Sequence, residues 1–234
     1  MESKRGQVTI FIIVAVAIIV IALIFFLVFR QNTNKSETSV SEVKTYLSDI
    51  LERAVLINII TVAQQGGEAY PPTTSFQTPY YSVSYWVIDN TSTHPSREQL
   101  ASNIDLLNSE ITETNLSWFF PGYDISSGEF KSNTTLSETG VRVSVKWPIT
   151  IKKGTTTQTI EDFTFNYNIR LKKLYDAADY TADLIANDTM PIEMPQDINV
   201  TVYTYSNAAL YEIIDTNAKY QLNKQPYNFV FAVK

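Results

Sequence analysis

The chain has 234 residues, with 18 Lys and Arg against 24 Asp and Glu and no cysteine. Disulfides, thiolate metal sites and thiol chemistry are therefore excluded, and a formal charge of −6 argues against nucleic acid or anionic lipid headgroups as partners. Residues 31–234 carry 15 basic and 23 acidic side chains and are numerous enough to bury a substantial core.

Residues 1–6 form a short charged leader. From Gln7 to Phe29 there are 21 apolar side chains in 23 positions and no charge. At about 1.5 Å per residue that run spans roughly 35 Å as a helix, against a hydrocarbon core of about 30 Å. The expectation is a transmembrane helix over 7–30, embedded in the bilayer through residues 7–29. A cleaved secretory signal has a shorter apolar region, about 7–15 residues, and leaves through small residues, whereas this run leaves through Phe25, Phe26 and Phe29. Lys4 and Arg5 before the span and Arg30 and Lys35 after it nearly balance. Orientation rests instead on six glycosylation sequons, at Asn34, Asn90, Asn115, Asn133, Asn187 and Asn199, all beyond the span. They place the N-terminus in the cytoplasm and the C-terminal domain outside.

A polar juncture occupies 31–39, and an exterior domain is expected over 40–234. Ser39 with Glu42 reads as a capping box. Val40, Val43, Leu47, Ile50, Leu51, Ala54, Val55 and Asn58 recur at helical spacing toward Gln65, with Gly66-Gly67 as the stop. Val55–Ile60 is apolar on most faces and is expected to be the most buried part. Two readings remain, a stalk continuing the membrane helix or a core helix under a sheet, and the burial pattern favours the second.

Alternation over Tyr80–Ile88 predicts a strand, Asp89–Pro95 a loop, and Ser96 with Gln99 a capped helix through Leu100, Ile104, Leu107 and Ile111. Glu129–Ser137 and Val141–Ile151 read as a hairpin through Thr139-Gly140, and Thr157–Ile169 returns through Lys153-Gly154. Leu171–Ala186 is helical, ended by Met190-Pro191 and Met194-Pro195. Ile198–Tyr205, Leu210–Thr216 and Tyr227–Val233 read as strands. The fold class is α+β, with helices packed on a largely antiparallel sheet.

The search for chemistry yields little. His94 is the single histidine, so a site built on a histidine pair is impossible, and it reads as an exposed loop residue. No phosphate-cradling glycine loop is present. Glu161-Asp162 sits near a strand, and Glu193 and Asp197 flank a proline loop. Asp176, Asp179 and Asp183 share one helical face, where they serve either as hard-cation ligands or paired acids, or as a solvated stripe. The expectation is no catalytic residue, no cofactor and no metal. Trp118, Phe119, Phe120 and Tyr123, around Pro121-Gly122, form a candidate binding cluster, though sheet propensity enriches the same residue types.

Lys4-Arg5-Gly6-Gln7-Val8-Thr9-Ile10-Phe11 resembles the start of archaeal class III signal-peptide proteins, the type IV pilin-like group cleaved between a basic-Gly pair and Gln, here between Gly6 and Gln7. Gln7 and Thr9 match that group, while Phe11 stands where its members often carry the Glu that docks a subunit into a filament. The same opening, with Gln65-Gly66-Gly67, Tyr70-Pro71-Pro72, Pro79-Tyr80-Tyr81, Trp147–Gly154 and Arg170–Asp176, resembles a group of single-pass surface proteins of small-genome archaea. Members often carry a cysteine in the first helix, and none is present here. The resemblance implies an exterior α+β body of unknown activity; taken with the leader, the span and the lack of a catalytic constellation, the expectation is a structural or adhesive surface protein that meets identical subunits, other surface proteins or other cells. Its rivals are an anchored sugar- or peptide-binding module and, last, an anchored hydrolase acting through carboxylates.

Overall fold

Helix α1 (Val40–Gln64) places Val43, Leu47, Leu51, Val55, Ile59 and Val62 on one stripe, three to four residues apart, and all six are buried. A computed structural model describes residues 40–111, 122–189, 194–222 and 224–234. The expected span, the processing residues Gly6 and Gln7 and the Ser39 cap lie outside them. Among the described residues no helix is long and apolar enough to cross a membrane. The description below is of the compact unit Val43–Lys234. The core-helix reading of α1 holds, with one correction. Burial does not concentrate in Val55–Ile60: Ile57 is 61% exposed, because the stripe follows the 3.6-residue period and leaves position 57 on its far side.

The end of α1 is fixed by its glycines. Gly66 and Gly67 have φ of 76° and 82°, and Gly67 N–H donates to the Val62 carbonyl at 2.8 Å. This is the six-to-one bond of a Schellman cap, which needs the left-handed conformation glycine adopts without strain.

Three sheets follow. A two-stranded ladder joins β1 (Phe76–Gln77) to β2 (Ser82–Val83). The second sheet has the order β4-β3-β11-β10-β9, from β3 (Tyr85–Ile88), β4 (Thr91–Ser92), β9 (Ile198–Thr204), β10 (Ala209–Asp215) and β11 (Asn228–Val233). All its pairings are antiparallel except β3 with β11, which is parallel. In the third sheet β7 (Val141–Lys153) is central. It pairs β8 (Thr156–Tyr167) along one edge, and β6 (Lys131–Leu136) and then β5 (Asp124–Ser127) along the other. The α+β class stands, but the single sheet expected is divided.

Helix α2 (Arg97–Asn108) begins with the expected Ser96–Gln99 capping box. Its Asp105 carboxylate accepts from Ser132 Oγ at 2.7 Å, Thr134 N–H at 3.0 Å and Thr134 Oγ1 at 2.7 Å, which fastens the helix to β6. Helix α3 (Leu171–Ala186) buries Leu171, Leu174, Ala178 and Ala182 against the five-stranded sheet. It stops at Asn187, ahead of the prolines expected to end it, as Asp188 turns to a φ of 51°. The β7 alternation, Val141 through Ile151 at every second position, joins α1, α3 and both larger sheets in one core. Pro148 fits in central β7 because the β7–β8 register shifts between Lys146 and Ile149, and its carbonyl accepts from Gly128 N–H at 2.7 Å.

Gly140 closes the β6–β7 turn under a tight constraint. A Cβ there would lie 2.6 Å from the Tyr167 carbonyl oxygen. Gly140→Ala is expected to cost about 1–3 kcal/mol through overpacking against backbone, read as a lower urea midpoint at unchanged slope.

Candidate functional site: His94, Asp179 and Asp183 beside Trp86

The site begins with Trp86 on β3, which is fully buried. Its indole N–H donates to the Gly66 carbonyl at 2.8 Å, tying β3 to the cap of α1. The ring stacks on Phe231 at 5.0 Å and meets Phe229 and Tyr175 edge-on or tilted at 5.3 and 5.5 Å. Its remaining face is taken by His94, with centroids 4.7 Å apart and planes 27° from parallel.

His94 is therefore not the exposed loop residue expected. Asp89 and Asn90 turn the chain with positive φ, and Thr93 N–H donates to the Trp86 carbonyl at 2.7 Å. The loop is folded back on its own strand, which lays the imidazole on the indole with 19% of the side chain exposed.

Helix α3 supplies the other groups. His94 Nε2 lies 2.9 Å from Asp179 Oδ1. His94, Asp179 and Asp183 each offer a ligand atom within 4.8 Å of the other two. Asp179 and Asp183 are one helical turn apart and so share a face. Asp176, the third member of the expected stripe, goes elsewhere: it is 2.7 Å from Arg97 Nε and 3.3 Å from Lys172 Nζ. Burial raises the Asp179 carboxyl, opposed by His94 and reinforced by Asp183. Tyr175 OH donates to the Pro95 carbonyl at 2.6 Å, and burial, with Asp179 nearby, pushes this phenol up to about 12.

The polarity of the imidazole can be read from its neighbours. Nδ1 faces two oxygens, Tyr175 Oη at 3.2 Å and the Pro95 carbonyl at 3.4 Å. The Tyr175 proton is committed to Pro95, so both oxygens act as acceptors and Nδ1 carries hydrogen. Nε2 is left to face carboxylate oxygen.

The remaining sequence candidates scatter. Trp118, Phe119, Phe120, Glu193, Asn34 and Asn115 lie outside the described residues. Tyr123 is half-buried against the core, with Lys153 Nζ 4.8 Å from its ring centre, and so is only in part a surface aromatic. Asn90, Asn133, Asn187 and Asn199 are all exposed. Glu161 and Asp162 are exposed on β8. Asp197 is drawn into an ion pair with Arg170 at 2.6 Å and Lys173 at 2.7 Å. A surface the sequence reading missed lies at the end of β9, where Tyr203 and Tyr205 are each about half exposed and Phe76 lies 4.8 Å from Tyr205. The i, i+2 spacing of Tyr203 and Tyr205 was its signal. No protein-family model, curated protein or solved structure matches the chain.

Proposed function

We propose that the chain is a membrane-anchored, pilin-like surface protein that holds an α+β domain outside the cell for structural or adhesive contact with identical subunits, other surface proteins or cells. The observation that carries this reading is the uncharged run Gln7–Phe29, with the basic-Gly-Gln leader before it. The exposure of all four described sequon asparagines supports an exterior body. The half-exposed tyrosines around β9 favour a second reading, an anchored module that binds sugar or peptide through rigid aromatic area with a polar edge.

Alkaline extraction of native membranes with protease treatment of intact cells tests the anchor. The expected result is a chain retained in the membrane whose body is cut from outside. Release by alkali, or protection from external protease, overturns it. Mass spectrometry of the native N-terminus then separates the two kinds of anchor: a start at Gln7 marks prepilin-type processing, and retention of Met1 or Glu2 marks a permanent signal anchor.

A further inference from the structure

We propose that His94, Asp179 and Asp183 bind one divalent first-row transition ion of the Mn2+ kind, linking the loop before α2 to helix α3. The three residues come from two elements that are already packed together, so the ligands are brought near each other by the fold. His94 is held on one side by the Trp86 ring and at Nδ1 by the Tyr175 and Pro95 oxygens. A histidine anchored through one ring nitrogen presents the other as a ligand, the usual arrangement in metal sites. Here the presented atom is Nε2, and it faces Asp179 Oδ1 at 2.9 Å.

The choice of ion follows from the ligand types. An imidazole ligand disfavours Ca2+, which prefers oxygen, and two carboxylates favour a hard ion. Asp183 is exposed, with room to swing onto the ion and complete three protein ligands. The remaining positions are left to water. Charge agrees with this assignment. Arg97 and Lys172 are engaged by Asp176, and no ion pair to Asp183 is found among the described residues.

The test uses the full chain in detergent, stripped with chelator and titrated with Mn2+, with loss of the free-ion resonance signal as the readout. A parallel titration with Co2+ follows tryptophan fluorescence, because an ion on Nε2 lies close enough to Trp86 to quench it. The expected result is one Mn2+ per chain with a Kd below about 1 mM, the weak end for extracellular cation sites. Asp183→Asn and His94→Gln should each weaken binding at least about tenfold and reduce Co2+ quenching. Ion-free Asp183→Asn should melt with the wild type, so that its defect cannot be one of folding. Should His94→Gln prove unstable, Asp179→Asn takes its place. Absence of saturable Mn2+ binding by about 1 mM, or equal binding and quenching in wild type and Asp183→Asn, overturns the proposal.

Discussion

Asp215→Asn is expected to lower the unfolding free energy by about 3–5 kcal/mol, because it leaves a buried guanidinium without its main counter-charge. Arg170 immediately precedes α3, with 7% of its side chain exposed, and Asp215 ends β10 with 1% exposed. Arg170 Nε donates to Asp215 Oδ2 at 2.8 Å, Nη2 donates to Oδ1, and Nη1 donates to Asp197 Oδ2 at 2.6 Å. Its guanidinium carbon also lies 4.3 Å over the Tyr220 ring. The Asp215 hydrogen bond is the leading reason that the Arg170 pKa is raised. Urea unfolding of Asp215→Asn measures the loss, and an Arg170→Met/Asp215→Leu double variant is the control. Removing both charges avoids an orphaned ion, so the double variant should lose less than Asp215→Asn alone. A single variant no less stable than the double would show that the network is not a desolvated pair.

The same network shapes the acid limb of stability. Lys173 first and Arg170 second hold the Asp197 carboxyl down to about 2, from an ordinary value of 3.8. A carboxylate with a depressed folded pKa contributes stability that is complete above its unfolded value and lost as pH falls through the folded one. The relevant window is therefore about pH 4 down to pH 2. Asp197 keeps 29% of its side chain exposed, so solvent screening makes this contribution small. Asp197→Asn should flatten the slope of the urea midpoint in that window.

Trp86→Ala is expected to cost about 3–5 kcal/mol, the range for emptying a large aromatic site in a packed core. The indole touches four rings, and its N–H satisfies the Gly66 carbonyl. Trp86→Phe separates the two roles. It keeps much of the ring contact but leaves that carbonyl unpaired, for a cost of about 1–3 kcal/mol. Thermal and urea unfolding of the pair should rank wild type above Phe and Phe above Ala. If Ala matched Phe, the stack on His94 and Phe231 would contribute little.

Local rules carried most of the fold into the sequence. The stripe from Val43 to Val55, the Gly66-Gly67 stop and the Ser96–Gln99 box all depend on neighbours within one or two turns, and each was readable as such. The hairpins of the β7 sheet likewise follow from alternation and short turns. What escaped depends on partners distant in the chain. Nothing near Tyr85 announces that it pairs with Ala232, and so the division into separate sheets was not legible. Arg170 and Asp215 carry no local sign of each other either. At the candidate site, the spacing of Asp179 and Asp183 was visible, but His94 looked like any loop residue. Its place is set by Thr93 bonding back to Trp86 and by α3 packing beneath, contacts that exist only after folding.

The position of β11 bears on when the domain can form. It runs between β3 and β10 in the five-stranded sheet, and Ala232 N–H and Lys234 N–H donate to the Ser84 and Val87 carbonyls. The strand that fills the middle of this sheet is thus the last of its five to be synthesised. Until residues 228–233 arrive, β3 and β10 present open edges, and Trp86 lacks both Phe229 and Phe231. Loop closure over so long a stretch of chain is slow relative to forming α1 or the β7–β8 hairpin. During synthesis from the N-terminus, the β7 sheet can assemble first. The Trp86 core must wait for residues 228–233, and until they arrive the open edges of β3 and β10 are exposed to unwanted strand pairing.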